Sequence, residues 1–296
     1  MNIKIILEGM RLKTLPAAVI PVVVGFTYYF SINEKISYQY FFLCLGLSLS
    51  LQIATNFYND AIDYLKGADT NRVGPSRITS QKKINYKYVF YLGHFFIFLS
   101  LLFGLPIILK GGVIFLILGL LSMFLAYGYT GGPFPLAYLG LGEVFVFIFF
   151  GLVATVGSFY LVAMNMNLTI ILLGSQIGLL SCLLIAINNY RDRFEDIKVK
   201  KNTLATKLSN DSYLTLIDFF LFFPYFISLY LFTFENMQYA FTLLSVSIAY
   251  KIRKRIRENI KLEELNLALA LAGKHLVAFG FLLTLAQITS SLLSSP

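Results

Sequence analysis

Residues 40–63 read YFFLCLGLSLSLQIATNFYNDAID, and no charged side chain occurs before Asp60. At 1.5 Å per helical residue, the apolar run 40–58 covers about 28 Å, close to the roughly 30 Å hydrocarbon core of a bilayer. The acids come immediately afterwards, at Asp60 and Asp63. Carboxylates at a membrane helix end are costly unless solvated, paired or bound to cations, so an acidic cluster there is a functional candidate. This stretch therefore reads as a membrane span that carries a polar site on its end.

The same kind of run recurs along the chain, near residues 15–31, 88–109, 112–129, 138–163, 168–188, 213–232, 237–250 and 265–293. None shows the apolar/polar alternation of a membrane β-barrel. Of the residues, 57% are hydrophobic and 13% charged, against about 45–50% and about 25% in a soluble domain. So little polar surface cannot cover a water-soluble globule. The predicted fold is all-α, a polytopic membrane bundle of about nine transmembrane helices forming one domain over residues 1–296.

Basic residues sort onto alternate loops. Lys4, Arg11 and Lys13 precede the first run, and Arg72, Arg77, Lys82 and Lys83 lie between the second and third. Arg191, Lys198, Lys200 and Lys201 follow the sixth, and Lys251, Arg253, Lys254, Arg255 and Arg257 the eighth, whereas the opposite loops hold only Lys35 and Lys110. The positive-inside rule then places the N-terminus in the cytoplasm. Topology and attraction to anionic headgroups account for the formal net charge of +9, so a nucleic acid partner is not expected. The first run is full length and lacks a small-residue cleavage site, so it reads as a retained helix. Cys44 and Cys182 form no metal-ligand pattern. His94, His275 and Lys274 fall in apolar runs as isolated polar groups, Lys274 placed to snorkel or pair internally.

If the second helix continues past the apolar run, Asn56, Asp60 and Asp63 fall at i, i+4 and i+7 on one face. Residues 186–196, AINNYRDRFED, repeat the pattern after the sixth run, with Asn188 four before Asp192 and Asp196 one turn further. Two facing carboxylate clusters repel unless a cation lies between them, and hard oxygen ligands suit Mg²⁺. Arg72, Arg77, Arg191 and Lys200 are interleaved with the acids, and guanidinium groups bind phosphate oxygens bidentately. A metal-bridged diphosphate fits both charges. Metal and arginine make diphosphate a good leaving group, and an allylic chain can ionise. With 29 Phe and 19 Tyr, the chain can line a dry pocket whose ring faces attract the developing cation.

With these motifs the chain resembles the UbiA superfamily of intramembrane aromatic prenyltransferases, in particular its branch acting on 1,4-dihydroxy-2-naphthoate. The likeness extends to residues 10–18, MRLKTLPAA, to 67–77, GADTNRVGPSR, and to 129–143, YTGGPFPLAYLGLGE. It implies Asn56, Asp60, Asp63, Asp192 and Asp196 as ligands of Mg²⁺ or of its waters, the four aspartates being catalytic. It implies Lys13, Arg72, Arg77 and Arg191 as diphosphate contacts, and Tyr129 and Glu143 as contacts to the aromatic substrate. Glu143 can equally be a helix N-terminal charge favoured by the dipole. Implied partners are a polyprenyl diphosphate, 1,4-dihydroxy-2-naphthoate and membrane lipid, and the implied product is demethylmenaquinone, a step of menaquinone biosynthesis. The implied location is the bacterial cytoplasmic (inner) membrane, with the site facing the cytoplasm. The loop after the fourth run lacks the basic residues typical of the hydroxybenzoate branch, which favours the naphthoate acceptor; 4-hydroxybenzoate or homogentisate are the alternatives. A cation-coupled transporter is the rival from another class, although its acids belong near the midplane rather than at helix ends.

Overall fold

The computed structural model describes residues 3–67, 77–258 and 261–294. Among them every regular element is helical. Seven segments are long and apolar enough to cross a membrane. They are α2 (Pro16–Asn33), α3 (Tyr38–Leu65), α4 (Tyr86–Gly111), the composite Gly142–Ala163, α9 (Leu168–Lys198), α11 (Asn210–Phe234) and α13 (Leu262–Ser294). A short α1 (Ile3–Met10) precedes them, and α5 (Val113–Gly128) is an apolar helix of 16 residues.

The composite runs from α7 (Gly142–Val146) through a π-helical stretch, Phe147–Val156, into α8 (Gly157–Ala163). Short helices α6 (Leu136–Leu139) and α10 (Leu204–Lys207) lie in the connections before α7 and after α9. The eighth apolar run becomes a 3₁₀ stretch, Met237–Ser245, followed by α12 (Val246–Glu258). A 3₁₀ helix rises about 2.0 Å per residue, which stretches this short segment. α12 is amphipathic, burying Ala249, Ile252 and Ile256 while the basic residues between them face outward.

Local chemistry fixes the helix ends. Pro16 starts α2, where its missing N–H costs nothing. The side chains of Asn85, Asn167 and Ser209 accept backbone N–H bonds at the starts of α4, α9 and α11. Both helices that carry acid motifs run on past their apolar residues, α3 to Leu65 and α9 to Lys198.

α9 is the hub, with 72% of its apolar window buried. It packs against the π-helical stretch, α11 and α13, and the largest apolar cluster surrounds it. Glycine permits the closest approach. A Cβ on Gly151 would lie 2.6 Å from the Cα of Gly178 and 2.8 Å from the carbonyl oxygen of Gly174, so the two backbones touch only because no side chains intervene. A cavity lies between α9, the π-helical stretch and α13 on one side and α2 to α5 on the other.

Candidate active site

α9 stops in a way that turns a lysine back on its own helix. Lys200 adopts a left-handed conformation, φ 55°. The N–H of Lys201 donates to the carbonyl of Asp196 at 2.9 Å and that of Lys200 to Ile197 at 3.1 Å. This 6→1 and 5→2 pair is a Schellman closure. The ammonium of Lys201 thereby lies 3.3 Å from the Asp196 carboxylate, close enough to Asp63 of the first motif to interact with it electrostatically.

Asp63 is buried at the end of α3, with two partners on its carboxylate. Arg77 pairs with its Oδ2 at 2.6 Å, the hydroxyl of Tyr138 donates to its Oδ1 at 3.1 Å, and Arg77 also donates to the carbonyl of Asn59 at 2.5 Å. The Tyr138 ring receives Lys66 at 4.0 Å and Lys201 at 5.6 Å from its centroid, two cation–π contacts. Burial, and then the negative charge of Asp63, push the Tyr138 phenol well above its ordinary value, so it stays a donor at neutral pH. Burial lowers the Lys66 ammonium.

The loop carrying Tyr138 is tied to both motifs. Thr130 donates to the side-chain oxygen of Asn59, Lys66 donates to the carbonyl of Thr130 at 2.7 Å, and the backbone N–H of Asn202 donates to the carbonyl of Tyr138 at 3.2 Å. Two distant segments of sequence are thus joined through a third.

These groups stand at the mouth of a cavity of about 1330 Å³, lined by Asp63, Arg77, Lys201, Lys13, Asn56 and Tyr129 among many apolar side chains. Asn56 is held there, donating to the carbonyl of Met10 at 2.9 Å and to the hydroxyl of Thr14 at 3.1 Å. α13 forms one wall, and its Val277 and Phe281 line the cavity while remaining 41% and 64% exposed.

Four residues expected as direct contacts are placed differently. Asp60 turns away from the cavity and accepts the backbone N–H groups of Ile78 and Thr79 at 3.1 and 3.2 Å, together with the Thr79 hydroxyl. It anchors the loop that delivers Arg77. Arg191 grips Asp192 through two bonds of 2.7 Å and reaches Asn266 of α13 at 2.9 Å, so this pair braces α9 against α13. Glu143 is buried behind the cavity, accepting from Asn189 at 3.0 Å and Tyr213 at 3.1 Å. Arg72 lies outside the described residues.

Asn59, Lys66, Tyr138 and Lys201 were absent from the expected set. Asn59 had a signal, since it stands four before Asp63 on the same helical face. Lys201 had none, because its approach depends on the left-handed turn at Lys200.

No group of three acidic, histidine or cysteine side chains among the described residues could hold a metal alone. The carboxylates present suit a shared hard cation nonetheless. Oδ2 of Asp196 is buried with no hydrogen-bond partner, and Asp63 and Asp196 carry oxygen donors of the type Mg²⁺ prefers.

The chain is 32% identical over 203 residues to the 1,4-dihydroxy-2-naphthoate octaprenyltransferase of Mycobacterium tuberculosis, covering 69% of each protein. To the enzyme of that name from Haemophilus influenzae it is 35% identical over 209 residues, covering 68% of each. A UbiA homologue from Archaeoglobus fulgidus bound to GPP and Mg²⁺ superposes with a TM-score of 0.65 at 15% identity, over 95% of this chain and 99% of that one. The model of the UbiA prenyltransferase family matches residues 18–267. On that match and those identities, the chain belongs to the UbiA prenyltransferase family.

Proposed function

We propose that the protein transfers a polyprenyl group from a polyprenyl diphosphate to 1,4-dihydroxy-2-naphthoate, releasing diphosphate and CO₂ and giving demethylmenaquinol, which becomes demethylmenaquinone on losing two electrons to an external oxidant. The observation that carries this reading is the meeting of Asp63, Arg77 and Lys201 on the lining of a large apolar cavity, with Asp196 paired to Lys201 beside it. Two acids and two bases leave the cluster formally neutral, so a bound diphosphate needs added cations. Mg²⁺, with Asp63, Asp196 and Asn56 near it, would supply that charge and make diphosphate a better leaving group. The names of the bacterial relatives support the naphthoate acceptor.

The residues of the chain divide the work. Arg77 and Lys201 bind phosphate oxygens, together with Lys13, which also lines the cavity, and Tyr138 holds the Asp63 carboxylate in its orientation. Asp60 and Asp192 act from behind, the first by fixing the Arg77 loop and the second by holding Arg191. The apolar cavity excludes water, so the allylic cation meets the acceptor ring rather than a hydroxyl. The ring carbon bearing the carboxylate forms the new bond to C1 of the prenyl chain. Its carbon–carboxylate bond then breaks, leaving the electron pair on the ring as CO₂ departs. Glu143 supports the ring site through Asn189, a cavity-lining side chain. By the charge of its loops the site faces the cytoplasm of a bacterial cell, in the inner membrane.

The test is turnover by purified protein in liposomes with a polyprenyl diphosphate, Mg²⁺ and either 1,4-dihydroxy-2-naphthoate or 4-hydroxybenzoate. Mg²⁺-dependent prenylated naphthohydroquinone, detected as the quinone after oxidation in air, is expected from the first acceptor alone. Product from hydroxybenzoate alone would overturn the acceptor assignment, and activity unchanged by chelation would overturn the metal.

A further inference from the structure

The main cavity runs inward from Asp63, and its far end is closed by a thin wall. Phe115, Leu118, Val153 and Gly157 line it there. The same four residues line a second cavity of about 300 Å³. Its outer side is formed by Ile114 and Met166, which are 50% and 60% exposed. Single side chains therefore separate the main cavity from an apolar chamber open to the outside of the bundle.

The wall lies in a seam of the fold. α5 packs on α3 and α4 and makes no comparable packing against the π-helical stretch or α8. Side chains close the gap, chiefly the Phe115 ring stacked on Tyr160 with centroids 6.2 Å apart and planes at 22°. Gly157 leaves room in the wall beside that ring, because a Cβ built there meets nothing within 4 Å.

Distance gives the seam a use. Phe115 packs in the same apolar cluster as Cys44, which precedes Asp63 on α3 by nineteen residues, or about 28 Å at 1.5 Å each. At the roughly 1.2 Å per bond of an extended covalent chain, the eight main-chain bonds of a C10 tail reach about 10 Å. The thirty-two of a C40 tail reach about 38 Å on the same scale. The short tail ends well inside the main cavity. The long one arrives at Phe115 with isoprene units to spare.

We propose that the smaller cavity is a binding site for the distal isoprene units of a long prenyl tail, entered through the seam between α5 and α8. Phe115 and Gly157 are its specificity-determining residues. This inference rests on the polyprenyl diphosphate reading of the site, and it adds a chain-length dependence that the reading alone does not contain.

Gly157→Leu tests it. Gly157 is helical, with φ −62° and ψ −42°, so leucine fits the backbone and improves helix propensity. Its side chain projects into the seam. The measurement is kcat/KM of the full-length protein in liposomes with C10, C20 and C40 diphosphates. With C40 a loss of about tenfold or more is expected, with C10 remaining within about twofold of the parent. Phe115→Trp, a plug from the other side, is expected to reproduce this profile, and adding Phe115→Ala to Gly157→Leu to restore C40 use. Equal losses with C10 and C40 would mean a packing defect and overturn the inference, as would an unchanged C40 rate in both plugged variants. Failure of the unsubstituted protein to use any prenyl diphosphate would overturn the donor reading itself, a result distinct from either.

Discussion

Tyr138→Phe deletes a single hydrogen bond and keeps the ring. The bond is 3.1 Å long, just beyond the usual range of about 2.5–3.0 Å for O–H···O contacts. Bonds to charged groups contribute about 1.5–3 kcal/mol, and the length argues for the lower figure. The ion pair of Asp63 with Arg77 at 2.6 Å survives, so the carboxylate keeps its charge and loses only its fixed orientation. About 1.5 kcal/mol corresponds to roughly a tenfold loss of kcat/KM for the prenyl diphosphate. Tyr138→Leu should lose more, because Lys66 and Lys201 then lose the ring face at 4.0 and 5.6 Å. Each such contact contributes about 0.5–1 kcal/mol at a site open to solvent. The assay is initial rate in liposomes against donor concentration at several Mg²⁺ levels, with helix content and melting recorded for each variant. A Tyr138→Phe enzyme equal to the parent at limiting Mg²⁺, beside an inactive Asp63→Asn, would refute the orienting role.

Three further outcomes follow from the same geometry. Asp63→Asn is expected to abolish turnover and also to lower the melting temperature, because the buried Arg77 loses its ion-pair partner. Asp60→Ala strands the buried amides of Ile78 and Thr79, at about 1–3 kcal/mol for each unsatisfied group, and should lower the melting temperature in turn; an unchanged melting temperature in Asp60→Ala counts against the anchoring role. Gly178→Val forces a side chain against Phe147 and the Cα of Gly151, an overpacking of about 1–3 kcal/mol or more because backbone must move, read as loss of monodisperse protein in detergent. Because the Tyr138 phenol is raised, its ionisation lies beyond the ordinary value of about 10. The pH–rate profile should therefore show no falling limb between pH 8 and 10 that Tyr138→Phe removes.

Much of this architecture is written in the sequence as run length. The apolar stretch 40–58 became the body of α3, and the expectation that the helix continues through Asp63 holds to Leu65. Helical spacing put Asn56, Asp60 and Asp63 within one face, and two of the three do line the cavity. Asp60 sits on the edge of that face, and a periodicity argument has no means of knowing that the amides of Ile78 and Thr79 return to claim it. Arg191 was read as an anion contact because it adjoins the second motif. Its guanidinium instead meets Asn266, a residue 75 positions away. Lys201 was hidden for a related reason, since one left-handed residue decides where it points. What pattern cannot carry is the closure of loops onto motifs, and the charge balance of the site is set there.

The wall formed by α13 also decides which concentration the enzyme senses. Val277 and Phe281 line the cavity and are 41% and 64% exposed, so on the proposed reading a hydrophobic tail reaches the site past α13 without crossing water. Encounter then takes place in two dimensions. The governing variable is the mole fraction of donor among the lipids, not its amount per volume of buffer. Adding inert lipid at fixed total donor should slow the reaction in proportion, and a Michaelis constant quoted in micromolar would describe the liposome preparation more than the protein.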